Sequence, residues 1–250
     1  MNFMIFDTET TSLDKPFCYN IGYVIADEDF NVLAERDFVC EQVWHNPMLF
    51  STAYYADKRE LYVKSMRGRT TIMDKFGYIC QAMIRDIKKF DITAAYAYNS
   101  PFDERVFNFN CDWFKCNNPF DTIPIYDIRG YAQQFICDRI FKDWCETHKQ
   151  FTDSGNYSTT AETLYRYITN DIDFIEDHTA LSDSRIEKDI LRAAVILRGA
   201  ELNTPYTTFK TIPRKQKKDF TVKYNGEVVY NTECESIRYM KTKNTVILKG

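Results

Sequence analysis

The chain has 250 residues, of which 44% are hydrophobic, with a mean hydropathy of -0.44 and a formal net charge of -4. This length is enough to bury a substantial core, and the composition is that of a globular protein. No apolar run is long enough to cross a membrane, and residues 1–6 lack the basic flank and cleavage site of a secretory signal. We therefore expect a cytoplasmic protein without a membrane partner.

Charge is unevenly distributed along the chain. Residues 201–250 carry ten Lys or Arg against five Asp or Glu, so the preceding part is acidic. A basic segment can bind a phosphodiester backbone by displacing counterions, and the cluster at 214–218 is the candidate. The alternative is that this cluster is only a solvated loop.

The eight cysteines form no CxxC pair, and a chain of this size does not need disulfides to fold. We expect reduced thiols. Cys111, Cys116, Cys145 and His148 offer four ligands for a zinc ion, although their spacing is not that of a common zinc finger. Buried cysteines usually behave as small hydrophobic residues, and this second interpretation is the simpler one.

The N-terminal third predicts strands followed by helices. Apolar and β-branched segments predict an antiparallel meander of three strands, beginning at residue 3 and continuing at 19–26 and 32–39. Helices are expected at 56–66 and, from apolar residues at helical spacing, over 72–87.

The next part of the chain alternates between strands and helices. A strand at 92–98 leads through Asn99-Ser100-Pro101 into a helix, because Pro is favoured at the first helical position. The remaining predictions are a strand at 123–126, a helix at 128–148, a loop at 152–160 and a helix at 161–168.

A last periodic helix has Ile186, Ile190, Ala194 and Leu197 on one stripe. It follows Ser184-x-x-Glu187, which matches a capping box. The element order predicts an α/β fold: a mixed sheet flanked by helices over residues 1–200. Residues 201–250 are expected to form a small basic β-rich appendage, with a hairpin turn at Asn225-Gly226 and a strand at 245–248.

Two carboxylates end the first predicted strand. Side chains at i and i+2 of a strand point to the same face, so Asp7 and Glu9 should aim at one place. Converging carboxylates repel each other unless one is protonated or a cation lies between them. The alternative is that Asp7 and its Thr neighbours simply end a strand as turn formers.

Three further residues complete a chemically coherent set. Asp103 follows a strand-to-helix turn, and Asp183 lies near the start of the last helix, five residues after His178. Strand ends and helix starts of an α/β sheet can converge on one edge. Four carboxylates and one imidazole are what two-metal phosphodiester hydrolysis requires.

These residues lie in three motifs, at 6–13, 97–103 and 178–183, that resemble those of the DEDD 3'-to-5' exonucleases. The resemblance is to the histidine branch, DEDDh, which includes ribonuclease T, oligoribonuclease and polymerase proofreading subunits. It covers residues 1–200 and implies a ribonuclease H-like fold. The sequence departs from the family pattern at Ser12, where Gly is frequent, and at Tyr98, where His is frequent.

The resemblance implies roles for individual residues. Asp7, Glu9 and Asp183 would bind one Mg²⁺ or Mn²⁺ ion, Asp7 would bridge to a second ion, and Asp103 would hold that second ion through water. His178 would be the general base. The substrate contacts implied are Thr10, Leu13, Asn99 and Phe102. The alternatives are that Leu13 is a buried loop anchor and that Phe102 packs in the core.

The sequence therefore predicts a two-metal 3'-to-5' exonuclease that shortens a single-stranded nucleic acid from its 3' end. It does not distinguish DNA from RNA, and it leaves open whether the protein is a homodimer. Two rivals remain: a catalytically idle nucleic-acid-binding or assembly module on the same fold, and a proofreading subunit that acts only beside a polymerase.

Overall fold

The computed structural model describes residues 1–53 and 56–208, and beyond them the backbone of four strands. The chain forms two compact units. The first contains Met1–Gln150 and Ser158–Lys210, and the second contains Phe151–Tyr157 and Thr211–Gly250. Among the described residues no helix is long and apolar enough to cross a membrane.

A mixed six-stranded sheet forms the centre of the first unit. Its strands are β1 (Asn2–Thr10), β2 (Cys18–Asp27), β3 (Val32–Cys40), β4 (Ile72–Asp74), β5 (Ile92–Ala97) and β6 (Ile125–Asp127). The spatial order is β4-β3-β2-β1-β5-β6. β1, β2 and β3 pair antiparallel, whereas β4 runs parallel to β3, β5 to β1 and β6 to β5. The meander and the mixed sheet predicted from the sequence are confirmed.

Helices complete the unit. They are α1 (Glu41–Trp44), α2 (Pro47–Phe50), α3 (Arg59–Arg67), α4 (Phe76–Lys89), α5 (Pro101–Phe114), α6 (Ile128–Ile136), α7 (Arg139–His148), α8 (Ala161–Thr169) and α9 (Ala180–Arg198). A short 3-10 turn at Ala56–Lys58 precedes α3. The predicted helix at 56–66 is thus present, with its first turn tightened.

Two of the helix predictions were wrong. The helix expected from residue 72 begins at Phe76, because Ile72–Asp74 forms the edge strand β4. The helix expected over 128–148 is two helices, and Asp138 caps the second by accepting a hydrogen bond from the N–H of Ile140, at 3.2 Å. Local periodicity does not show an edge pairing or a break between two helices with similar apolar spacing.

The capping box predicted at Ser184 and Glu187 was also wrong. α9 begins four residues earlier, with Thr179 as its N-cap residue. The Ser184 hydroxyl instead donates hydrogen bonds to the carbonyl oxygens of Ala180 and Gly22, at 2.7 and 3.0 Å. Ser184 and Glu187 therefore lie within α9 and not at its N-terminus, and both are buried on the face that packs against the sheet.

β1 is buried because it lies between β2 and β5. Phe3, Met4, Ile5 and Phe6 are fully buried, and Phe6 contacts the rings of Phe107 and Phe120. An apolar run of this kind is typical of a strand covered on both faces. This rigid strand carries Asp7 and Glu9 at its C-terminal end.

In the second unit the backbone forms β7 (Lys218–Tyr224), β8 (Glu227–Cys234), β9 (Lys241–Thr242) and β10 (Thr245–Ile247), in the order β8-β7-β10-β9. β7 and β8 pair antiparallel across the predicted hairpin. The turn at Asn225-Gly226 and basic residues 214–217 lie outside the described residues. That 201–250 forms a separate domain stays a prediction.

Candidate active site

The end of β1 meets the first turn of α9. In the antiparallel register, Asp7 lies opposite Gly22 of β2. A Cβ atom on Gly22 would lie 2.0 Å from the backbone nitrogen of Leu181, so only glycine allows α9 to approach here. The side chain of Asn20 accepts a hydrogen bond from the N–H of Ala180 at 2.8 Å and fixes the start of the helix. Asp183 is thereby brought to β1.

Three of the predicted carboxylates converge. Asp7, Glu9 and Asp183 each offer an oxygen atom, and these oxygens all lie within 4.8 Å of one another. The period-two spacing of Asp7 and Glu9 explains why both reach the same place. The structure thus brings these three residues together, and their role as metal ligands stays a prediction.

Asp103 lies beside this trio rather than within it. It occupies the first turn of α5 and is buried, and its Oδ1 accepts a hydrogen bond from the Thr8 hydroxyl at 2.6 Å. Burial and then the charges of Asp7, Glu176 and Asp103 raise the pKa of Glu9 well above its usual range. The hydrogen bond to β1 fixes Asp103 at the rim of the cluster.

Burial and mutual repulsion disfavour ionisation of these acids. Burial raises the pKa of Asp7 to about 7. Burial and then the charge of Asp7 raise the pKa of Asp183 to about 11 and that of Asp103 well above its usual range. Acids in this situation lack an opposite charge, which a bound cation would supply.

His178 belongs to a second, overlapping trio. One nitrogen of its ring, an oxygen of Asp183 and an oxygen of Glu176 lie within 4.8 Å of one another. Its Nδ1 atom is 3.6 Å from Oε2 of Glu176. The pKa of His178 is lowered, first by burial and then by the charge of Lys58, which favours the neutral imidazole that can accept a proton.

The backbone of His178 is in the left-handed region, with φ of 52°. A non-glycine residue held there costs roughly 1 kcal/mol, and such residues cluster at functional sites. Asp177 stabilises the turn, because its side chain accepts hydrogen bonds from the N–H and the hydroxyl of Thr179 at 3.1 and 2.9 Å. The local sequence thus holds the imidazole beside Asp183.

Two acidic residues that the sequence did not predict also face the site. Glu176 is two residues before His178, and burial raises its pKa to about 7. Glu187 lies one turn after Asp183 and is 3% exposed. Burial, followed by the charges of Asp7 and Asp103, raises its pKa well above its usual range. The i,i+4 spacing of Asp183 and Glu187 on one helix was the available signal.

The donor set fits a hard divalent cation. Oδ1 of Asp183 and Oε2 of Glu187 are buried without a hydrogen-bond partner among the described residues. Leaving a buried carboxylate oxygen unpaired costs about 1 to 3 kcal/mol or more. Magnesium and manganese prefer oxygen ligands of this kind. The residues present are therefore compatible with the predicted ions.

The predicted substrate contacts differ in exposure. Leu13 is 74% exposed, so the alternative of a buried loop anchor is wrong. Phe102 is partly buried against the core, with the Arg105 guanidinium 5.3 Å from its ring. Arg105 also donates a hydrogen bond to the carbonyl oxygen of Leu13 at 3.2 Å. The hydroxyl of Thr10, the last residue of β1, donates a hydrogen bond to the carbonyl oxygen of Ser12 in the loop that contains Leu13.

Asn99 is exposed and has a left-handed φ of 62°, which Asn tolerates. Its N–H donates to Oδ1 of Asp127 at 2.9 Å. The turn that it forms leads directly into α5 and so positions Asp103.

The proposed zinc quartet is not formed as predicted. Cys111 and Cys116 converge with Cys80 of α4, not with Cys145 and His148 of α7. The long sequence separation of Cys80 from the other two concealed this grouping.

Comparison with protein-family models and with curated proteins gives no match. Among solved structures, the nuclease domain of 3'hExo bound to rAMP, a DEDDh family member, aligns with a TM-score of 0.53 at 12% identity. The alignment covers 82% of this chain and 96% of that one. The chain shares the fold of this nuclease domain.

Two structures of exonuclease I align over less of their own length. The first aligns with a TM-score of 0.50 at 14% identity. The second, E. coli exonuclease I in complex with a dA16 oligonucleotide, aligns with a TM-score of 0.47 at 16% identity. Both alignments cover 79% of this chain and 41% of exonuclease I, so this chain spans less than half of that protein.

Proposed function

We propose that the chain is a metal-dependent 3'-to-5' exonuclease that acts on single-stranded nucleic acid. The observation that carries this proposal is the convergence of Asp7, Glu9 and Asp183 within 4.8 Å, with His178 equally close to Asp183. A fold alone does not specify an activity. The chemistry of the converging residues does, because hard-cation ligands and a neutral imidazole are the parts of a phosphodiester hydrolase.

We assign the roles that the family resemblance implies, and the convergence of the acids supports them. Asp7, Glu9 and Asp183 would hold one Mg²⁺ or Mn²⁺ ion, and Asp7 with Asp103 would serve a second. Bound there, the ions supply Lewis acidity to the scissile phosphate and lower the pKa of water. His178 accepts a proton from the attacking water, and Glu176, beside its Nδ1 atom, orients the ring and stabilises the imidazolium that forms.

The surface around the site suits an unpaired strand. Exposed Leu13 is bonded through Arg105 to α5, and the same helix continues to Phe109 and to Trp113, which is 62% exposed. Phe17, at the end of the Leu13 loop, contacts both rings. Unpaired bases stack on such aromatic side chains, at about 1 to 3 kcal/mol per base. A duplex cannot make these contacts, which favours a single strand.

Basic residues lie at the start of α3 and along it. Burial and then the charge of Lys58, just before α3, lower the pKa of His178. The helix that follows, α3, presents Arg59, Lys64 and Arg67 around one surface cavity. These cations are placed to neutralise phosphates of a bound strand, so we expect binding to weaken as salt concentration rises.

The test uses the full chain with 5'-labelled DNA and RNA oligonucleotides, single and double stranded, in Mg²⁺ or Mn²⁺. We expect a ladder that shortens from the 3' end of a single strand and stops when a chelator is added. His178→Ala should remove the activity, whereas the matched control His148→Ala, on α7, should keep it. Chelator-resistant activity, or full activity of His178→Ala, would contradict the mechanism.

The same assay separates the rivals. An idle module would bind the strand, measured by fluorescence anisotropy, and never shorten it with either metal. A proofreading subunit would digest efficiently only after a polymerase is added. Comparison of the DNA and RNA ladders assigns the preferred sugar.

A further inference from the structure

Three thiols converge away from the acidic site. Cys80 of α4, Cys111 of α5 and Cys116 have sulfur atoms that all lie within 4.8 Å of one another. Cys80 and Cys111 are buried, and Cys116 is partly exposed. The sulfur atoms of Cys80 and Cys116 are 4.0 Å apart. This is a group of metal-ligating side chains that hydrolysis of a phosphodiester does not use.

The backbone prepares the arrangement. α5 ends at Phe114, and Lys115 adopts the left-handed region with φ of 55°. The N–H of Cys116 then donates to the carbonyl oxygen of Cys111 at 3.1 Å, which closes the helix end. This cap fixes Cys116 beside Cys111. At Gly77 of α4, an added Cβ would already be in contact with Cβ of Cys116, at 3.4 Å, so α4 lies close against the turn.

The separations suit one metal ion. A zinc ion binds cysteine sulfur at about 2.3 Å, so sulfurs that share one ion lie roughly 3.8 to 4.0 Å apart. The observed 4.0 Å between Cys80 and Cys116 agrees with that value. A disulfide joins only two sulfurs, at about 2 Å, and would leave the third thiol unused. Convergence of all three is explained better by a shared ligand.

Cysteine sulfur also limits which ions the group can bind. The thiolate is the form that binds metal. Soft sulfur ligands select Zn²⁺ or Cu⁺ over the hard Mg²⁺ expected at the carboxylates.

We propose that Cys80, Cys111 and Cys116 bind one thiophilic d10 cation, Zn²⁺ or Cu⁺, which ties α4 to the C-terminal end of α5. The three sulfurs supply three ligands, and the partly exposed side at Cys116 gives the ion its entry path. The site is independent of the proposed exonuclease activity, because none of its residues belongs to the carboxylate cluster.

The test uses the reduced, metal-free full chain without oxygen. Co²⁺ replaces Zn²⁺ as an optical probe, and we expect a thiolate-to-cobalt charge-transfer band that saturates at one ion per chain and disappears when Zn²⁺ is added. Cu⁺ is offered in competition with a chromogenic Cu⁺ chelator. These two arms show which of the two ions the three sulfurs bind.

Variants assign the ligands. Cys116→Ser is the main one, since its partly exposed side chain can be replaced with little effect on folding, and we expect it to lose the band. The controls Cys145→Ser and Asp7→Asn should keep the band, which separates this site from α7 and from the acidic site. We also expect Zn²⁺ to raise the thermal midpoint of the parent chain but not that of Cys116→Ser.

Several results would overturn the proposal. One is the absence of binding by either ion at micromolar concentration. A second is a band that persists in Cys116→Ser. A third is the formation of a disulfide within the trio under mild oxidation together with no metal binding, because that would identify a redox pair.

Discussion

Two buried aspartates of the same unit have opposite environments. Asp86 of α4 is 8% exposed, accepts a hydrogen bond from the Tyr23 hydroxyl at 3.0 Å and pairs with Nε of Arg36 at 3.2 Å. Asp183 is 7% exposed, and its Oδ1 has no partner among the described residues. A buried charge is stable only when it is paired. Asp86 has the environment of a structural residue, and Asp183 has that of a residue awaiting a ligand.

The same contrast explains why the acidic site is costly to the fold. Asp7, Glu9 and Asp183 repel one another in a buried setting, and α9 is held against them by Gly22 and Asn20. Strain of this kind persists where the surrounding structure enforces it, and function is the usual reason. Substitutions should therefore distinguish acids that stabilise the fold from acids that bind a ligand.

The largest effect is expected for Asp183→Asn. Its nuclease rate should fall roughly 10³-fold or more, because a metal ligand that acts on the transition state is lost. In a chelator at neutral pH, its free energy of unfolding should rise by about 1 to 2 kcal/mol, because an amide avoids the cost of protonating a buried acid whose pKa is raised by burial and by Asp7. Single-turnover digestion and urea denaturation measure the two quantities. A less stable metal-free variant would contradict the comparison.

Asp86→Ala should behave in the opposite way. Its free energy of unfolding should fall by about 2 to 4 kcal/mol, because Arg36 and the Tyr23 hydroxyl lose their buried partner. Activity per folded molecule and Mn²⁺ binding should not change. Urea denaturation measures the stability, single-turnover digestion measures the activity, and calorimetric titration measures Mn²⁺ binding. Loss of Mn²⁺ binding in this variant would show that Asp86 is not only structural.

Glu187→Gln tests the acid that the sequence did not reveal. Glu187 accepts a backbone hydrogen bond from Tyr98 and keeps one oxygen unpaired, and in the proposed site it would orient the metal ligands. We expect Mn²⁺ affinity to fall about 10-fold, as for residues that support metal ligands. Asp189→Asn, two residues further along α9 and more exposed, is the matched control. Equal affinity in both variants would remove Glu187 from the site.

How much the sequence could predict depends on the range of the interaction. Asp7 and Glu9 were predictable because strand alternation is local, and α4 was predictable because its apolar residues repeat at helical spacing. Asp183 could be placed at the start of a helix. Asp183 reaches Asp7 only because Gly22, on the neighbouring strand β2, has no side chain to keep α9 away. No local sequence pattern shows this contact.

Glu187 and Cys80 were missed for the same physical reason. Ser184 and Glu187 match a capping box in sequence, but the contacts of α9 with Asn20 and Gly22 set the true start of the helix. Cys80 is distant in sequence from Cys111, and only the packing of α4 on α5 brings them together. Tertiary contacts set both positions. For Glu187 they overrode a misleading local motif, and for Cys80 no local motif was present.

The smallest effect is expected at an exposed ion pair. Arg185, two residues after Asp183, donates to Oε1 of Glu35 on β3 at 2.9 Å, and this bond lowers the pKa of Glu35. A carboxylate whose pKa is lower in the folded state adds stability above its unfolded pKa of about 4.3, and that stability is lost as pH falls through the folded pKa.

Because both side chains of this pair are partly exposed, solvent screening limits the effect of Glu35→Gln to about 0.2 to 1 kcal/mol at pH 7. Parent and variant should become equally stable once the pH falls below the lowered pKa of Glu35 in the folded state and its carboxyl is protonated. Urea denaturation across this range measures the difference, and Asp29→Asn, an exposed acid in the turn between β2 and β3, is the control. A difference that persists at low pH would mean that Glu35 acts through packing and that charge is not the cause.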